Sequence, residues 1–224
     1  MHNEKMADSR DMIGAHDAMR REFSALPGLI AGVPARDENG TAVVAGHVLM
    51  MVGFLHAHHT SEDDHVWPRL RERCPDDIAP LIETMDRQHA FIHGELEALT
   101  AGGRRWRASA DATDRDAVAV VAERLLPALY EHLALEEEQI LPLIDRHLTE
   151  REWKATVEAS FGKVTFAQRL LMMGMALHGA SEEQARLLRA AVPAVVWHAG
   201  RPIGTRLYRS HRARLASASR GPGR

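Results

Sequence analysis

A repeated pair of His-x-x-x-Glu motifs, 74 residues apart, constrains the fold of this chain more than any other sequence feature. Each copy places a Glu four residues after a His and a Pro six residues after that Glu: His58, Glu62 and Pro68, then His132, Glu136 and Pro142. A lone His precedes each copy, His16 before the first and His89 before the second. The first 150 or so residues therefore resemble two copies of a helix pair, an arrangement that can assemble a two-metal site.

The spacing within each motif favours a shared metal site. Residues four apart on an α-helix lie about 40° apart around the axis and about 6 Å apart along it. The His can then act as a terminal ligand while the Glu bridges two metals. Together the four helices offer five imidazoles and two carboxylates: His16, His58, Glu62, His89, His93, His132 and Glu136.

The donor types narrow the choice of metal. Imidazole and carboxylate without thiolate suit iron, and less specifically manganese, zinc or copper. Cys74 is the only cysteine, so a thiolate cage and a disulfide framework are both excluded. Burying several carboxylates without a cation would be very costly, so inward-facing acids call for a metal. Leu55, Val66 and Leu70 share or flank the His58 face and support that orientation.

Hydrophobic periodicity and Gly/Pro punctuation predict an all-α protein. Low aromatic content, 5%, agrees with helices rich in Ala, Leu and Met. We expect an up-down four-helix bundle over residues 1–148 and a C-terminal helical extension over 149–224. The bundle helices are predicted at 9–26, 41–73, 75–99 and 113–147, with a basic linker at 104–111. The extension is predicted to contain helices at about 150–159, 163–178 and 182–197.

The C-terminal end is strongly basic, with seven Arg and no acid between Ala199 and Arg224. No aromatic interleaving or DNA-reading pattern accompanies these arginines. We therefore expect the tail to be solvated or to fold back on the acidic body, rather than to bind nucleic acid. No uninterrupted apolar run approaches the roughly 20 residues that span a bilayer. The polar N-terminus does not resemble a signal peptide, and we expect a cytoplasmic protein.

Residues 1–148 resemble a hemerythrin-like (HHE cation-binding) domain of the bacterial type. The resemblance rests on four motifs: His16-Asp17, His58-x-x-x-Glu62-Asp63 through Trp67-Pro68, Gln88-His89-x-x-x-His93, and His132-x-x-x-Glu136-Glu137 through Leu141-Pro142. It implies a non-haem di-iron centre with an oxo or hydroxo bridge. The five His would then be terminal ligands, and Glu62 and Glu136 would bridge the irons.

One position departs from the oxygen-carrying hemerythrins, which have an Asp five residues after the fourth-helix His. Here Glu136 stands at four and Glu137 at five. The sequence leaves the choice between them open, although the internal repeat favours Glu136. The departure resembles bacterial members linked to oxygen, peroxide or nitric oxide handling, and argues against simple reversible O2 carriage.

We expect a di-iron protein that binds or reacts with a small oxidant, O2, H2O2 or NO. No separate acid, base or nucleophile motif is evident, so any catalase- or peroxidase-like turnover would be centred on the metals. An alternative is an oxygen, redox or iron sensor that signals through residues 149–224. Iron storage is a weaker alternative, because the ferritin-like Glu-x-x-His pattern present at Glu62 and His65 fails at Gln139.

Overall fold

The computed structural model describes residues 4–161, 164–192 and 194–220, which form helices and no β-strand. In chain order the described residues form α1 (Arg10–Ala31), α2 (Glu38–His65), α3 (Trp67–Arg73), α4 (Pro75–Ser109), α5 (Ala112–Leu135), a π-helical turn (Glu136–Ile140), α6 (Leu141–His147), α7 (Glu150–Ser160), α8 (Phe166–Leu177), α9 (Glu182–Ala191) and α10 (Ala194–Ala218). The prediction of an all-α bundle with additional C-terminal helices is confirmed.

Parts of four predicted segments lie outside the described residues. Residue 163 begins the predicted helix 163–178, and residue 193 falls within the predicted helix 182–197. Residues 1–3 open the predicted N-terminal domain, and residues 221–224 close the basic tail.

The chain divides into two compact units. The first comprises Met1–Ala18, Ala57–Gln88 and Glu131–Tyr208. Its hydrophobic core contains two buried tryptophans, Trp67 and Trp153, packed with aliphatic side chains of α3, α4, the π-helical turn and α6. The first unit thus contains both repeated motifs and also α7 to α9. The predicted domain boundary at residue 148 stays a prediction.

The second unit comprises Met19–His56, His89–Tyr130 and Arg209–Arg224. Its buried His47 contacts a half-buried histidine of the basic tail, since Nε2 of His211 lies 3.1 Å from Nδ1 of His47. Burial lowers the pKa of His47 to about 3, with the charge of His211 acting in the same direction, so the His47 ring is neutral at pH 7. Residues 209–218 of the basic tail are therefore helical and take part in the packing of this unit.

Two helices extend further than the sequence predicts. α1 continues past Pro27 to Ala31, although a proline in a helix removes one backbone hydrogen bond. Leu26 and Ile30 are fully buried on either side of it, and their packing offsets that loss. α4 continues past Gly102 and Gly103 through the predicted linker, because Trp106 is also buried. Tertiary packing overrides these local helix-breaking signals.

Capping boxes set the starts of α7, α8 and α9. The hydroxyls of Thr149, Thr165 and Ser181 each accept a hydrogen bond from the backbone N–H three residues later. The side chain at that third position accepts one from the capping residue in return. The boxes at Thr149 and Ser181 are evident in the sequence. The single helix predicted at about 182–197 is divided in the structure, because α9 ends at Ala191 and α10 begins at Ala194 and continues to Ala218.

The segment Glu38–Arg73 is long and apolar enough to cross a membrane by length and composition alone. However, 56% of its most apolar stretch is buried inside the structure, and the core helix of a soluble protein meets the same criterion. It is weak evidence for a membrane span. Cytoplasmic location stays a prediction.

Candidate metal centre

Buried His and Glu side chains from α1, α2, α4, α5 and the π-helical turn form two groups of possible metal ligands. The first group contains His16, His58 and Glu136; the second contains His59, Glu62, His89 and His132. Within each group, one donor atom of every residue lies within 4.8 Å of the donors of the others. All seven side chains are buried, and four have no solvent exposure: His16, Glu62, His132 and Glu136.

The first group brings two imidazole nitrogens and a carboxylate oxygen together. Nε2 of His16 lies 3.3 Å from Nε2 of His58. The same His16 nitrogen lies 3.3 Å from Oε2 of Glu136. Three donor atoms that face one another at this range enclose a point that a cation can occupy.

The second group mixes one acid with three imidazoles. His59 and His132 lie edge to face, with ring centroids 4.9 Å apart. Glu62 and His89 complete the group within the 4.8 Å limit. It contains only nitrogen and oxygen donors, as the sequence predicts.

Each glutamate also approaches the group to which it does not belong. Oε1 of Glu62 lies 3.1 Å from Nε2 of His58 in the first group. Oε2 of Glu136 lies 3.9 Å from Nε2 of His132 in the second. Each glutamate therefore lies within 4 Å of an imidazole nitrogen of the other group.

The two glutamates have opposite electrostatic environments. Burial, reinforced by the negative charge of Glu136, raises the pKa of Glu62 well above its ordinary value. Burial alone would raise the pKa of Glu136 too, but the charges of His16, His58 and His132 outweigh it and lower that pKa strongly. The surroundings therefore favour the protonated form of Glu62 and the ionised form of Glu136.

His16 carries the balancing positive charge. Burial lowers its pKa, but the charge of Glu136, together with the charge of Glu137 and the hydrogen bond with it, outweighs burial and raises the pKa of His16 to about 9. A cation bound between these side chains would take over that role and displace the proton.

The hydrogen bonding of Glu136 fits a site built for a cation. Among the described residues, neither carboxylate oxygen of Glu136 has a hydrogen-bond partner of acceptable geometry. A buried carboxylate that lacks such partners is costly, and a metal ion removes that cost. The residues present therefore fit the nitrogen and oxygen ligation of iron.

Two polar side chains orient the imidazoles from outside the ligand groups. Oε1 of Glu137 lies 2.8 Å from Nδ1 of His16, and Oε1 of Gln88 lies 3.3 Å from Nδ1 of His132. Such contacts fix the ring and leave the opposite nitrogen directed at the metal. Glu137 therefore contacts the outer face of a ligand, while Glu136 lies in the ligand group.

Glu136 and Glu137 have different surroundings because they lie in a π-helical turn, Glu136–Ile140. A π turn adds one residue to a helical turn and rotates the side chains that follow, and such turns are frequent at functional sites. Here Glu136 is fully buried, while the neighbouring Glu137 side chain stays 24% exposed and reaches His16. Pro142 lies two residues after the turn and disfavours regular helical hydrogen bonding, but it does not specify a π turn.

The structure does not bring the seventh predicted residue, His93, to either group. Its side chain is 54% exposed, and its Nε2 lies 3.4 Å from a carboxylate oxygen of Glu97. The buried stripe of α4 includes Met85, Ile92 and Leu96, on one side of His89. His93 lies about 40° from His89 on the other side, away from that stripe. This placement departs from the prediction that His93 is a ligand.

His59 lies in the second group instead, although its position about 100° from His58 around the helix favours an outward-facing side chain. It is 6% exposed, like its neighbour His58. The available sequence signal is the spacing of His59 and Glu62, which places two donors one helical turn apart. Adjacent His residues on one helix thus each face a different group.

The comparison with known families agrees with this geometry. The hemerythrin HHE cation-binding domain profile matches residues 8–144, more than half of the 224 residues. The chain belongs to the hemerythrin HHE cation-binding family. No curated protein and no solved structure matches the chain. Membership in the hemerythrin family indicates cation binding, and the His and Glu groups are positioned to provide it.

Proposed function

We propose that this hemerythrin-family protein holds two iron ions in the paired His and Glu groups, and that it binds or reacts with a small oxidant such as O2, H2O2 or NO. The observation that carries the proposal is the position of Glu62 and Glu136, each of which approaches imidazoles of both groups. A bound pair of irons would supply two electrons to such an oxidant.

The proposed ligands are five imidazoles and two carboxylates: His16, His58, His59, Glu62, His89, His132 and Glu136. The donor count is that predicted from the sequence, with His59 in place of His93. The chain's own contribution is to hold these donors out of water, since none of the seven residues is more than 8% exposed. Exclusion of water strengthens the electrostatic binding of the cations and protects a reactive ligand from competing hydrolysis.

Reaction with a limited amount of oxidant tests the proposal. Protein loaded anaerobically with ferrous iron is mixed with H2O2, O2 or NO, and its absorption is followed by stopped flow. We expect oxidation, or NO binding, to saturate at one oxidant equivalent per iron pair, and the iron to remain bound. Glu136→Gln should abolish that response, and His93→Ala should retain it. Oxidation no faster than that of free ferrous iron would contradict the proposal.

A sensing role is a second candidate, and one contact favours it. Nε2 of Gln184, in α9, donates a hydrogen bond to Oδ2 of Asp17 at 2.7 Å, and Asp17 is next to the ligand His16. Metal loss or oxidation that moves α1 would thus change how α9 is held. Limited proteolysis in α9 should then depend on metal state, and Gln184→Ala should remove that dependence. Identical cleavage in both metal states would rule the role out.

A further inference from the structure

A separate cavity lies in the C-terminal part of the first unit, formed by α8, α9 and the start of α10. Its volume is about 230 Å³. Three arginines line it, Arg186, Arg189 and Arg201, together with one acid, Glu182. The apolar part of the lining consists of Leu177, Ala185 and Trp197. None of these residues belongs to the metal groups.

The cavity has a closely packed frame. α8 and α10 meet backbone to backbone at Gly174 and Gly204, where a Cβ on Gly204 would lie 2.4 Å from the carbonyl oxygen of Leu170. Leu170 also contacts Gly200, where a Cβ would lie 3.1 Å from its Cδ2. Glycines allow this close approach, which fixes Leu177 and Trp197 on neighbouring helices.

The arginines of the cavity are poorly neutralised. Arg186 lies 3.7 Å from a carboxylate oxygen of Glu183. Among the described residues, no acid lies within ion-pair distance of Arg189 or Arg201. Three guanidinium groups against the single acid Glu182 give the lining a net positive charge. A guanidinium group binds carboxylate or phosphate through paired hydrogen bonds.

An aromatic ring lies beside these charges. Trp197 is 6% exposed, and the guanidinium carbon of Arg201 lies 5.8 Å from its ring centroid. The cation–π contact holds the Arg201 side chain over the ring. A flat apolar group has Trp197, Leu177 and Ala185 to pack against, while its charged end is within reach of the arginines.

We propose that this cavity binds a small aromatic carboxylate. The volume of about 230 Å³ lies below the roughly 300 Å³ at which ligand cavities usually begin, which excludes a peptide and limits the ligand to a single ring with one charged group. Glu182 can accept a hydrogen bond from a hydroxyl on the far side of that ring. The proposal does not depend on the bound metal or on the proposed reaction with oxidants.

Calorimetric titration with 4-hydroxybenzoate tests the site. We expect one site per chain with a Kd below about 1 mM. Acetate lacks the ring and phenol lacks the carboxylate, so both should bind at least about tenfold more weakly. The double substitution Arg189→Ala with Arg201→Ala should weaken binding at least about tenfold. Arg206→Ala, an exposed arginine of α10 outside the cavity, is the matched control and should leave the Kd unchanged.

Fluorescence locates the binding event. 4-Hydroxybenzoate should change tryptophan emission, and Trp197→Phe should remove that change. Unaltered thermal unfolding of the arginine variants shows that they are folded, which is expected because both side chains are exposed. No measurable heat at 10 mM ligand, about ten times the expected Kd limit, would overturn the proposal. An unchanged Kd in the double variant would do the same.

Discussion

The two copies of the repeated motif begin alike and end differently. In both, a buried His and a buried Glu lie four residues apart on a helix. After Glu62, α2 ends at His65 and α3 begins at Trp67. After Glu136, the chain remains helical through the π-helical turn to Ile140. Similar spacing in the sequence therefore does not produce equivalent surroundings for the two glutamates.

The acid that follows each glutamate makes a different contact in each copy. In the first copy, Asp63 accepts a hydrogen bond from Nε1 of Trp67 at 2.9 Å, a contact that supports the start of α3. In the second copy, Glu137 contacts Nδ1 of the ligand His16 at 2.8 Å. One acid contributes to the fold and the other positions a proposed metal ligand. If both groups hold iron as proposed, the two irons should accordingly differ in affinity.

Glu136→Gln should have the largest effect on the site. Glutamine keeps the shape but loses the charge of a residue that approaches imidazoles of both groups. We expect metal affinity to fall by more than about 100-fold, beyond the effect typical of outer contacts. Elemental analysis after dialysis measures it. The exposed neighbour Glu138→Gln is the control, and equal metal content in both variants would contradict the assignment.

His59→Ala compared with His93→Ala is the next test. We expect His59→Ala to lose about one metal per chain, because His59 belongs to one of the two groups. His93→Ala should keep both, since its side chain is 54% exposed and pairs with Glu97. Metal-to-protein ratios distinguish the two ligand sets. Loss of metal in His93→Ala alone would restore the assignment made from sequence.

The sequence predicts most of this site because helical spacing relates one donor to the next along a helix. It predicts that His58 and Glu62 face inward together, and the structure buries both with 3.1 Å between Nε2 of His58 and Oε1 of Glu62. It also predicts the all-α fold, which the structure confirms. It does not predict the exposure of His93, because 3.6-residue periodicity does not specify where the core stripe of a helix lies to within about 40°. The π-helical turn has no clear sequence signature, so the separate positions of Glu136 and Glu137 required the structure.

Glu137→Gln should have a smaller effect than loss of a ligand. The change weakens the contact that orients His16, and affinity for metal should fall by about 10- to 100-fold. The equivalent change in the first copy, Asp63→Asn, should leave metal affinity within about threefold and should lower thermal stability instead. A competition assay with a chelator measures both. The difference between the copies would be refuted if the two variants lost equal affinity.

The smallest effect is expected from a substitution that removes a contact between the ends of the two copies. Nη1 of Arg73 donates a hydrogen bond to the backbone oxygen of His147 at 2.7 Å, and Arg73 also pairs with Glu152 in α7. Hydrogen bonding with Arg73 is the main cause that lowers the pKa of Glu152 from 4.5 to about 2. Both side chains are partly exposed, so Arg73→Ala should lower the free energy of unfolding by only about 1 kcal/mol.

The loss of stability in Arg73→Ala should depend on pH in a defined direction. Because the pKa of Glu152 is lowered in the folded state, its stabilising contribution is present above pH 4.5 and is lost as the pH falls towards 2. The stability difference between wild type and Arg73→Ala should therefore shrink over that range in urea denaturation. A difference that stays constant from pH 6 to 2.5 would show that the ion pair does not cause it.

The count of metal ions per chain tests the central claim most directly. Protein isolated in air is analysed for iron, manganese, zinc and copper, beside Glu136→Gln prepared in the same way. We predict about two irons per chain in the wild type, and their loss in the variant without loss of helical structure. A folded wild-type protein that contains none of these metals, and takes up no ferrous iron when it is supplied, would contradict the account.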